Sequence, residues 1–448
     1  MKRKVLKSLI ALALTVSMLA GCAQSAVTSG ENASGGTSAT SQSQNVSSYA
    51  DIKAESSVTS TASTTAAEHT SKSTESSTDT TKASENKPSQ IAGKMRNITS
   101  QQLVEDMTFG WNLGNTLDVC QADRDGDGKI NEHVEAGEKV DETLWGNPKA
   151  TKELFTSLKK NGVNAVRIPV TWRDHMDSNG NIDREWMDRV QQVVDYAYSQ
   201  GMYVIINVHH DGGGDPKFGA WIIEESQNDY NTFMRKYKNV WKQIAERFKN
   251  YSDYLIFESM NEVGFDTLYN KNKADAYNLI NKINQDFVDI IRATGGNNAK
   301  RALIVTSHAQ SIVKDAVQAI EIPNNDPNII VSIHSYAPWD FAGTDSERST
   351  WGTDADKQEL DQNFQFLKET FVDKGIPVIL DEFGAVNKNN EADRDAYYEY
   401  YVKSAKAHGG IKCFVWDNGQ QKEFGLLNRS QNSWYFPSIV DAMMRGAA

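Results

Sequence analysis

The sequence has little cysteine, no excess of positive charge and few long apolar runs. Among its 448 residues are three Cys, and the formal net charge at pH 7 is −12. An acidic balance disfavours nucleic acid as a partner, because a nucleic-acid surface needs a basic face. Beyond the N-terminus, no apolar stretch approaches the roughly 20 residues that cross a bilayer as a helix. We therefore expect a protein that is soluble apart from its N-terminal segment.

The first 22 residues carry a processing signal. The apolar run LIALALTVSML ends in Leu19 and is followed by Ala20-Gly21-Cys22, and a basic segment that contains Lys2, Arg3, Lys4 and Lys7 precedes it. The run is too short to remain as a spanning helix. The Cys after Ala-Gly resembles the lipobox of bacterial lipoproteins, in which cleavage precedes a lipidated Cys. A plain signal peptide with a chance Cys is the alternative. We predict a signal peptide over 1–21, a lipid anchor at Cys22 and a location on the extracellular face of a membrane.

The segment that follows is dominated by Ser and Thr as far as about Pro88. Hydrophobic residues are sparse in it and show no period, so it cannot bury enough apolar surface to offset its conformational entropy. We predict a disordered, flexible linker over 22–95 that holds the next domain away from the membrane.

From 96 to 448, short apolar runs alternate with longer amphipathic ones such as NPKATKELFTSLKKNG, which ends in Gly as helices often do. Strands that read as near-continuous apolar runs are typical of a parallel sheet covered on both faces. Eight strands separated by helices predict an α/β fold, the (β/α)8 TIM barrel. The alternative, a doubly wound open sheet, is weaker because no Gly-rich phosphate loop follows the first strand. The predicted strands are 108–113, 164–170, 202–208, 254–259, 302–307, 329–334, 377–382 and 411–416.

Two cysteines lie in this domain. Cys120 follows the first predicted strand, whereas Cys413 lies near the start of the last one. These points should be at opposite ends of a barrel, well beyond the reach of a disulfide. We expect two free thiols.

Polar side chains occur repeatedly where the predicted strands end, which in a barrel of this kind is the catalytic face. Glu262 and Glu382 each end an apolar run, and a carboxylate in that position is costly unless it is paired or used. Two carboxylates across a sugar-sized cleft can hydrolyse a glycosidic bond, provided that one is protonated and the other ionised. The residues at strand ends are Asn112, Asn115, Arg167, His209, His210, Asn261, Glu262, His334, Tyr336, Glu382 and Trp416.

The domain resembles glycoside hydrolase family 5 through the motifs GWNLGNTLD, WGNP, NAVRIPVTW, INVHHD, FESMNE, HSYAP, LDEFGA and VWDNG. The combination looks most like the subfamily of endo-β-1,4-glucanases and xyloglucan-active enzymes, subfamily 4. The resemblance implies a retaining hydrolase with Glu262 as acid/base and Glu382 as nucleophile. It also implies that the subsite next to the scissile bond is surrounded by His209, His210, His334, Tyr336 and the stacking platform Trp416. From the residues themselves we predict that Arg167 holds Glu382 ionised and that Asn261 binds a sugar hydroxyl, and we add Asn115 and Arg167 to the substrate-binding set.

Other tryptophans are candidate platforms for sugar rings, since an aromatic ring matches the apolar face of a pyranose. The alternative is that they pack the rim of the barrel. The five in or near predicted loops are Trp145, Trp172, Trp221, Trp339 and Trp434, whereas Trp111, Trp186 and Trp241 are expected in the core.

The segment 123–135, DRDGDGKINEHVE, resembles an EF-hand or dockerin calcium loop. Asp123, Asp125 and Asp127 occupy ligand positions 1, 3 and 5, and Lys129 would offer its carbonyl. Val134 stands where the bidentate acid belongs, so an acidic surface turn is the alternative. A calcium ion here would brace a loop and take no part in hydrolysis, for which we expect no cofactor.

Taken together, the sequence predicts a surface-anchored, monomeric endo-β-1,4-glucanase that hydrolyses cellulose or a related β-glucan by double displacement. A xyloglucanase, licheninase, xylanase or mannanase of the same family is the alternative. A non-catalytic glycan-binding lipoprotein is a remote alternative, because such a protein should lack at least one catalytic residue and none is missing from this sequence.

Overall fold

A computed structural model describes residues 93–122, 139–212 and 220–448. Within these ranges eight parallel strands close into a barrel, each bonded to the next in chain order and the last to the first. This confirms the predicted (β/α)8 fold. The strands are β1 (Gly110–Asn112), β2 (Ala165–Ile168), β3 (Tyr203–Ile206), β4 (Leu255–Glu258), β5 (Leu303–Ser311), β6 (Ile329–His334), β7 (Val378–Phe383) and β8 (Lys412–Val415).

Helices surround the barrel, and a short antiparallel pair, β9 (Leu427–Asn428) and β10 (Ser433–Trp434), follows β8. No helix within the described ranges is long and apolar enough to cross a membrane. The helices are α1 (Ser100–Glu105), α2 (Lys152–Lys160), α3 (Arg184–Tyr198), α4 (Trp221–Asn228), α5 (Tyr230–Arg247), α6 (Asp266–Lys271), α7 (Lys273–Ala293), α8 (Lys314–Gln318), α9 (Trp339–Ala342), α10 (Asp354–Thr370), α11 (Glu391–Ala407) and α12 (Pro437–Ala447).

The apolar residues of the strands form two layers, because alternate side chains of a strand point to opposite faces. One layer lies between the barrel and its helices and contains Val204 and Ile206. The other fills the barrel and contains Ile205 and Phe414 together with Leu103 of α1, which closes one end. Gly110 is required beside this layer, because a Cβ there would lie 2.0 Å from Cδ1 of Phe414.

The helix ends follow the signals in the sequence. A capping box of Thr99 and Gln102 starts α1. After α2 and α3 the chain turns at Gly162 and Gly201, whose φ angles of 86° and 68° favour glycine. The two cysteines are buried free thiols, as predicted. Burial raises the pKa of Cys120 to about 12, so this thiol stays protonated at neutral pH.

Strand β5 departs from its predicted range, since it continues from Thr306 to Ser311 through a shift of register. Ala309 and Gln310 lie in this shift with φ angles of 55° and 48°. Bulges of this kind redirect side chains next to functional sites. The consequence is that Gln310 is fully buried near the carboxyl end of the barrel strands.

Candidate active site

Glu262 and Glu382 face each other at the carboxyl end of the barrel. Glu382 is buried near the end of β7, whereas Glu262 lies in the loop after β4 with 44% of its side chain exposed. A carboxylate oxygen of each and a ring nitrogen of His334 all lie within 4.8 Å of one another. Retaining glycosidases hold their two carboxyl groups about 5–5.5 Å apart. The pair therefore has a spacing suited to double displacement.

Arg167 of β2 holds Glu382 from inside the barrel. Its Nη1 donates to Oε1 of Glu382 at 2.6 Å and its Nη2 to Oδ1 of Asn261 at 2.6 Å. Its Nε and Nη2 also bind both oxygens of Glu258, at 2.7 and 2.8 Å. Burial opposes the charge, but Glu258, Asp381 and Glu382 raise the pKa of Arg167 well above its ordinary value. A permanent cation therefore lies at the base of the site.

Asn261 receives its orientation from this contact. Because Arg167 donates to Oδ1 of Asn261, the Nδ2 amino group is the part of the amide left to donate to a ligand. The backbone N–H of Asn261 is fixed by the carbonyl of Val208, at 3.0 Å.

His334, the last residue of β6, lies between the two glutamates. Its Nδ1 is 2.8 Å from Oε1 of Glu262 and 3.7 Å from Oε2 of Glu382, and its Nε2 is 3.3 Å from Oδ1 of Asp381. Desolvation would lower the pKa of His334, but the carboxylates around it raise that pKa to about 10. At neutral pH this imidazole therefore holds a proton directed at Glu262.

The pKa values of the two carboxyl groups shift in opposite directions, although His334 and Arg167 act to lower both. Desolvation raises the pKa of Glu382, against the charges of His334 and Arg167. Desolvation acts in the same direction on Glu262, but the hydrogen bond and charge of His334 outweigh it and lower the pKa of Glu262. The proton that an acid catalyst would need is thus held by the pair of Glu262 and His334 rather than by Glu262 alone.

Tyr336, in the loop after β6, donates its hydroxyl to Oε2 of Glu382 at 2.9 Å. Burial, together with the charges of the nearby carboxylates, raises the pKa of Tyr336 well above its ordinary value, which keeps it a donor. Glu382 is thus bound on one oxygen by Arg167 and on the other by Tyr336.

His209 follows β3 and is fixed as a donor. Oδ1 of Asn207 accepts from the N–H of Val170 at 3.0 Å, so Nδ2 of Asn207 donates to Nδ1 of His209, at 3.2 Å. Burial lowers the pKa of His209 well below its ordinary value, so the ring is neutral and carries its proton on Nε2. The ring of Trp416 lies parallel to it, with the centroids 6.1 Å apart.

The other two predicted binding residues lie beside this group. His210 has its ring centroid 5.6 Å from that of Trp145 and its Nε2 4.0 Å from Oδ2 of Asp118. Burial lowers the pKa of His210 to about 4. Asn115 occupies the turn after β1 with a φ of 54°, and its backbone N–H donates to Asp118. The structure therefore brings the predicted binding residues together at one end of the barrel.

Sequence reasoning missed several buried residues that hold the site. Glu258 and Asp381 are fully buried ionisable partners of Arg167, and Gln310 and Ser332 lie among them. A signal existed for the first two, since each is an acid inside an apolar strand: IFES for Glu258 and ILDEF for Asp381. The bulge that directs Gln310 inward has no comparable signal.

The tryptophans divide clearly. Trp172 is fully buried with its Nε1 donating to the carbonyl of Asn207, and Trp221 is 5% exposed with its Nε1 donating to Asp211. Neither can be a platform, so that interpretation is wrong for both. The other candidate platforms are half-buried, namely Trp145, Trp339, Trp416 and Trp434. The tryptophans expected in the core are buried, namely Trp111, Trp186 and Trp241.

Two groups within the described ranges have ligand atoms close enough to hold a cation, namely Glu262 with His334 and Glu382, and Asp118 with His209 and His210. The first is the carboxylate pair itself. In the second, the carboxylate of Asp118 already accepts the backbone N–H groups of Asn115 and Thr116 at 3.0 and 2.7 Å. The predicted calcium ligands at 123–135 lie outside the described residues.

The chain matches a family model, proteins of known function and solved structures. Residues 129–422 match the family model "Cellulase (glycosyl hydrolase family 5)". The cellulase/esterase CelE of Acetivibrio thermocellus is 41% identical over 363 residues, which is 79% of this chain and 41% of that protein. Endoglucanase A of Ruminococcus albus is 38% identical over 369 residues, 80% of this chain and 95% of that protein.

A solved structure of a GH5-4 broad-specificity endoglucanase from Ruminococcus champanellensis with bound cellotriose superposes with a TM-score of 0.69. It is 38% identical in sequence, and the alignment covers 79% of this chain and all of that one.

Proposed function

The chain belongs to glycoside hydrolase family 5, and we propose that it is an endo-β-1,4-glucanase of subfamily 4 that acts with retention on cellulose or a related β-glucan. The observation that carries the proposal is the placement of one oxygen each of Glu262 and Glu382 within 4.8 Å. That spacing leaves room for a sugar carbon but not for the additional water of an inverting enzyme.

In the first step, Glu382 attacks the anomeric carbon as the bond from that carbon to the glycosidic oxygen breaks. Arg167 and Tyr336 each bind one oxygen of Glu382, so the carboxylate is aimed without rotating. Glu262 gives its proton to the departing oxygen. A bound sugar excludes water from Glu262, which favours the neutral acid and draws the proton of His334 across their 2.8 Å hydrogen bond.

In the second step, Glu262 accepts a proton from the water whose oxygen bonds to the anomeric carbon, and Glu382 is released as a carboxylate. The transition states of both steps carry positive charge on the sugar ring. Asn261 and His209 present donors, Nδ2 and Nε2, for sugar hydroxyl groups, and Trp416 offers a half-buried ring for stacking.

The proposal is tested with the purified full chain on carboxymethylcellulose, barley β-glucan, xyloglucan, xylan and mannan. Reducing ends and viscosity are followed for wild type, Glu382→Gln and the control Glu185→Gln, an exposed residue of α3. We expect an early fall of viscosity on a β-1,4-glucan, retained in the control and lost in Glu382→Gln. Proton NMR of the first product should show the β-anomer. Full activity in Glu382→Gln contradicts the mechanism, and activity confined to mannan contradicts the substrate.

We further propose that the enzyme acts at the cell surface as a monomer, tethered by lipid on Cys22 and a linker over 22–95. The lipobox-like sequence supports the lipid anchor, and the Ser/Thr-rich composition supports the linker. Detergent phase partition of the natively produced protein tests it, with Cys22→Ser beside wild type. Wild type should enter the detergent phase and Cys22→Ser the aqueous phase, and an aqueous wild type would reject the anchor.

A further inference from the structure

The backbone of Glu262 has an unusual conformation that needs support. Its φ is 45°, in the left-handed region that residues other than Gly, Asn and Asp seldom adopt. Conformations of this kind persist where the surrounding structure enforces them. In this conformation the carboxyl group of Glu262 faces Glu382.

The support comes from the bulge of β5. The N–H of Glu262 donates to Oε1 of Gln310 at 2.6 Å, and the N–H of Ala309 donates to the carbonyl of Val263 at 2.8 Å. The N–H of Phe265 donates to Nε2 of His308, also at 2.8 Å. The loop that carries Glu262 is thus bonded to three successive residues of the bulge, 308–310.

Gln310 is itself held rigidly. It is fully buried, and because its Oε1 must accept from Glu262, its Nε2 is the donor. That nitrogen lies 2.6 Å from Oγ of Ser332 and 3.2 Å from Oε1 of Glu258. Ser332 in turn donates to Asp381, whose carboxylate faces His334. Every polar atom of the Gln310 amide is therefore engaged with the network that surrounds the two glutamates.

We propose that Gln310 is a positioning residue for the acid/base Glu262: its amide oxygen fixes the left-handed backbone of Glu262 and thereby places the carboxyl group where a leaving oxygen departs. The inference rests on the proposed function. Replacement of Gln310 should slow the cleavage of substrates whose leaving group must be protonated and should have little effect on substrates whose leaving group need not be. A residue that only stabilised the barrel would not distinguish the two kinds of substrate.

The experiment compares phenyl β-cellobioside, whose leaving group needs an acid, with 2,4-dinitrophenyl β-cellobioside, whose leaving group does not. The parameter is kcat/KM, which reports the step that breaks the glycosidic bond even when hydrolysis of the intermediate limits kcat. Gln310→Met should lower kcat/KM on the phenyl substrate by roughly 10²-fold, the smaller effect typical of lost general acid catalysis. On the dinitrophenyl substrate the loss should be only a few-fold. The control Gln191→Met removes another buried glutamine, on α3, whose partners are Tyr251 and Arg247, and should affect both substrates equally.

Thermal unfolding followed by circular dichroism shows whether Gln310→Met folds. If it does not, Gln310→Asn keeps an amide in the barrel but is one methylene too short to reach Glu262, and it should show the same selective loss. Equal loss on both substrates, or no loss on either, overturns the role of Gln310. Wild type that cleaves neither aryl cellobioside would instead contradict the proposed function, so the two failures are distinguishable.

Discussion

Arg167 and Glu258 form a bidentate ion pair in which neither side chain is exposed to solvent, with N–O distances of 2.7 and 2.8 Å. The pair lies directly beneath Glu382, which binds the third nitrogen of the same guanidinium. Removing one partner of a buried pair leaves an uncompensated charge, whereas removing both does not.

We therefore expect Arg167→Met to lower the free energy of unfolding by about 3–5 kcal/mol. The double variant Arg167→Met/Glu258→Gln should cost less than the sum of the single variants. Urea unfolding of the four proteins measures the coupling. The exposed pair Arg445–Glu399 serves as the control, since Arg445→Met should cost about 1 kcal/mol or less. Strict additivity in the Arg167–Glu258 cycle would show that the pair is not energetically linked.

His334 should make stability depend on pH. The folded protein raises the pKa of His334 to about 10, against about 6.5 in an unfolded chain. The contribution of this proton to stability is therefore complete below about pH 6.5 and is lost as the pH rises towards 10. The free energy of unfolding should be higher in wild type than in His334→Gln. This difference, measured by urea unfolding between pH 6 and 10, should decrease steadily as the pH rises. A difference that stays constant with pH would contradict the protonated state of His334.

Trp416 and Trp172 should respond in opposite ways to replacement by Ala. Trp416 is half-buried beside His209, so its loss should reduce kcat/KM by about 2- to 13-fold, the factor that corresponds to an aromatic contact of about 0.5–1.5 kcal/mol, with little change in stability. Trp172 is fully buried, so its loss should reduce the free energy of unfolding by about 3–5 kcal/mol. Steady-state kinetics and urea unfolding on both variants separate the two effects. The platform assignment fails if Trp416→Ala binds and turns over substrate like wild type.

The calcium loop at 123–135 remains a prediction. If Asp123, Asp125, Asp127 and Lys129 bind a structural ion, EDTA should lower the melting temperature by a few degrees, because a ligand bound to the folded state stabilises it. Added calcium should restore it, and Asp125→Asn should show a smaller response to either treatment. An identical melting temperature with and without EDTA in wild type would identify the segment as an acidic turn.

The barrel was predictable because its eight strands are buried on both faces and so read as continuous apolar runs. The same property concealed part of the site. In such a strand, the sequence alone does not distinguish side chains that point into the barrel from those that point towards the helices, so the roles of Glu258 and Asp381 depend on the structure. His334 is predictable because it ends its strand, whereas Arg167, inside the predicted strand 164–170, is predicted together with the motif NAVRIPVTW.

Two further features depended on tertiary contacts. Trp172 and Trp221 lie in or next to loops by sequence, but their indole groups donate inward and fill the space between barrel and helices. The bulge in β5 arises where the pairing with β6 shifts register. Residue preferences do not predict this bulge, since Ala309 and Gln310 are not residues that favour a positive φ.

That bulge also bears on how such enzymes can be recombined. The loop after β4 is bonded to residues 308–310, which are distant from it in sequence. A chimaera that exchanges residues 259–265 alone would separate Glu262 from the residues that support its backbone. The unit to be exchanged is therefore discontinuous in sequence, and it must include both the loop 259–265 and residues 308–310.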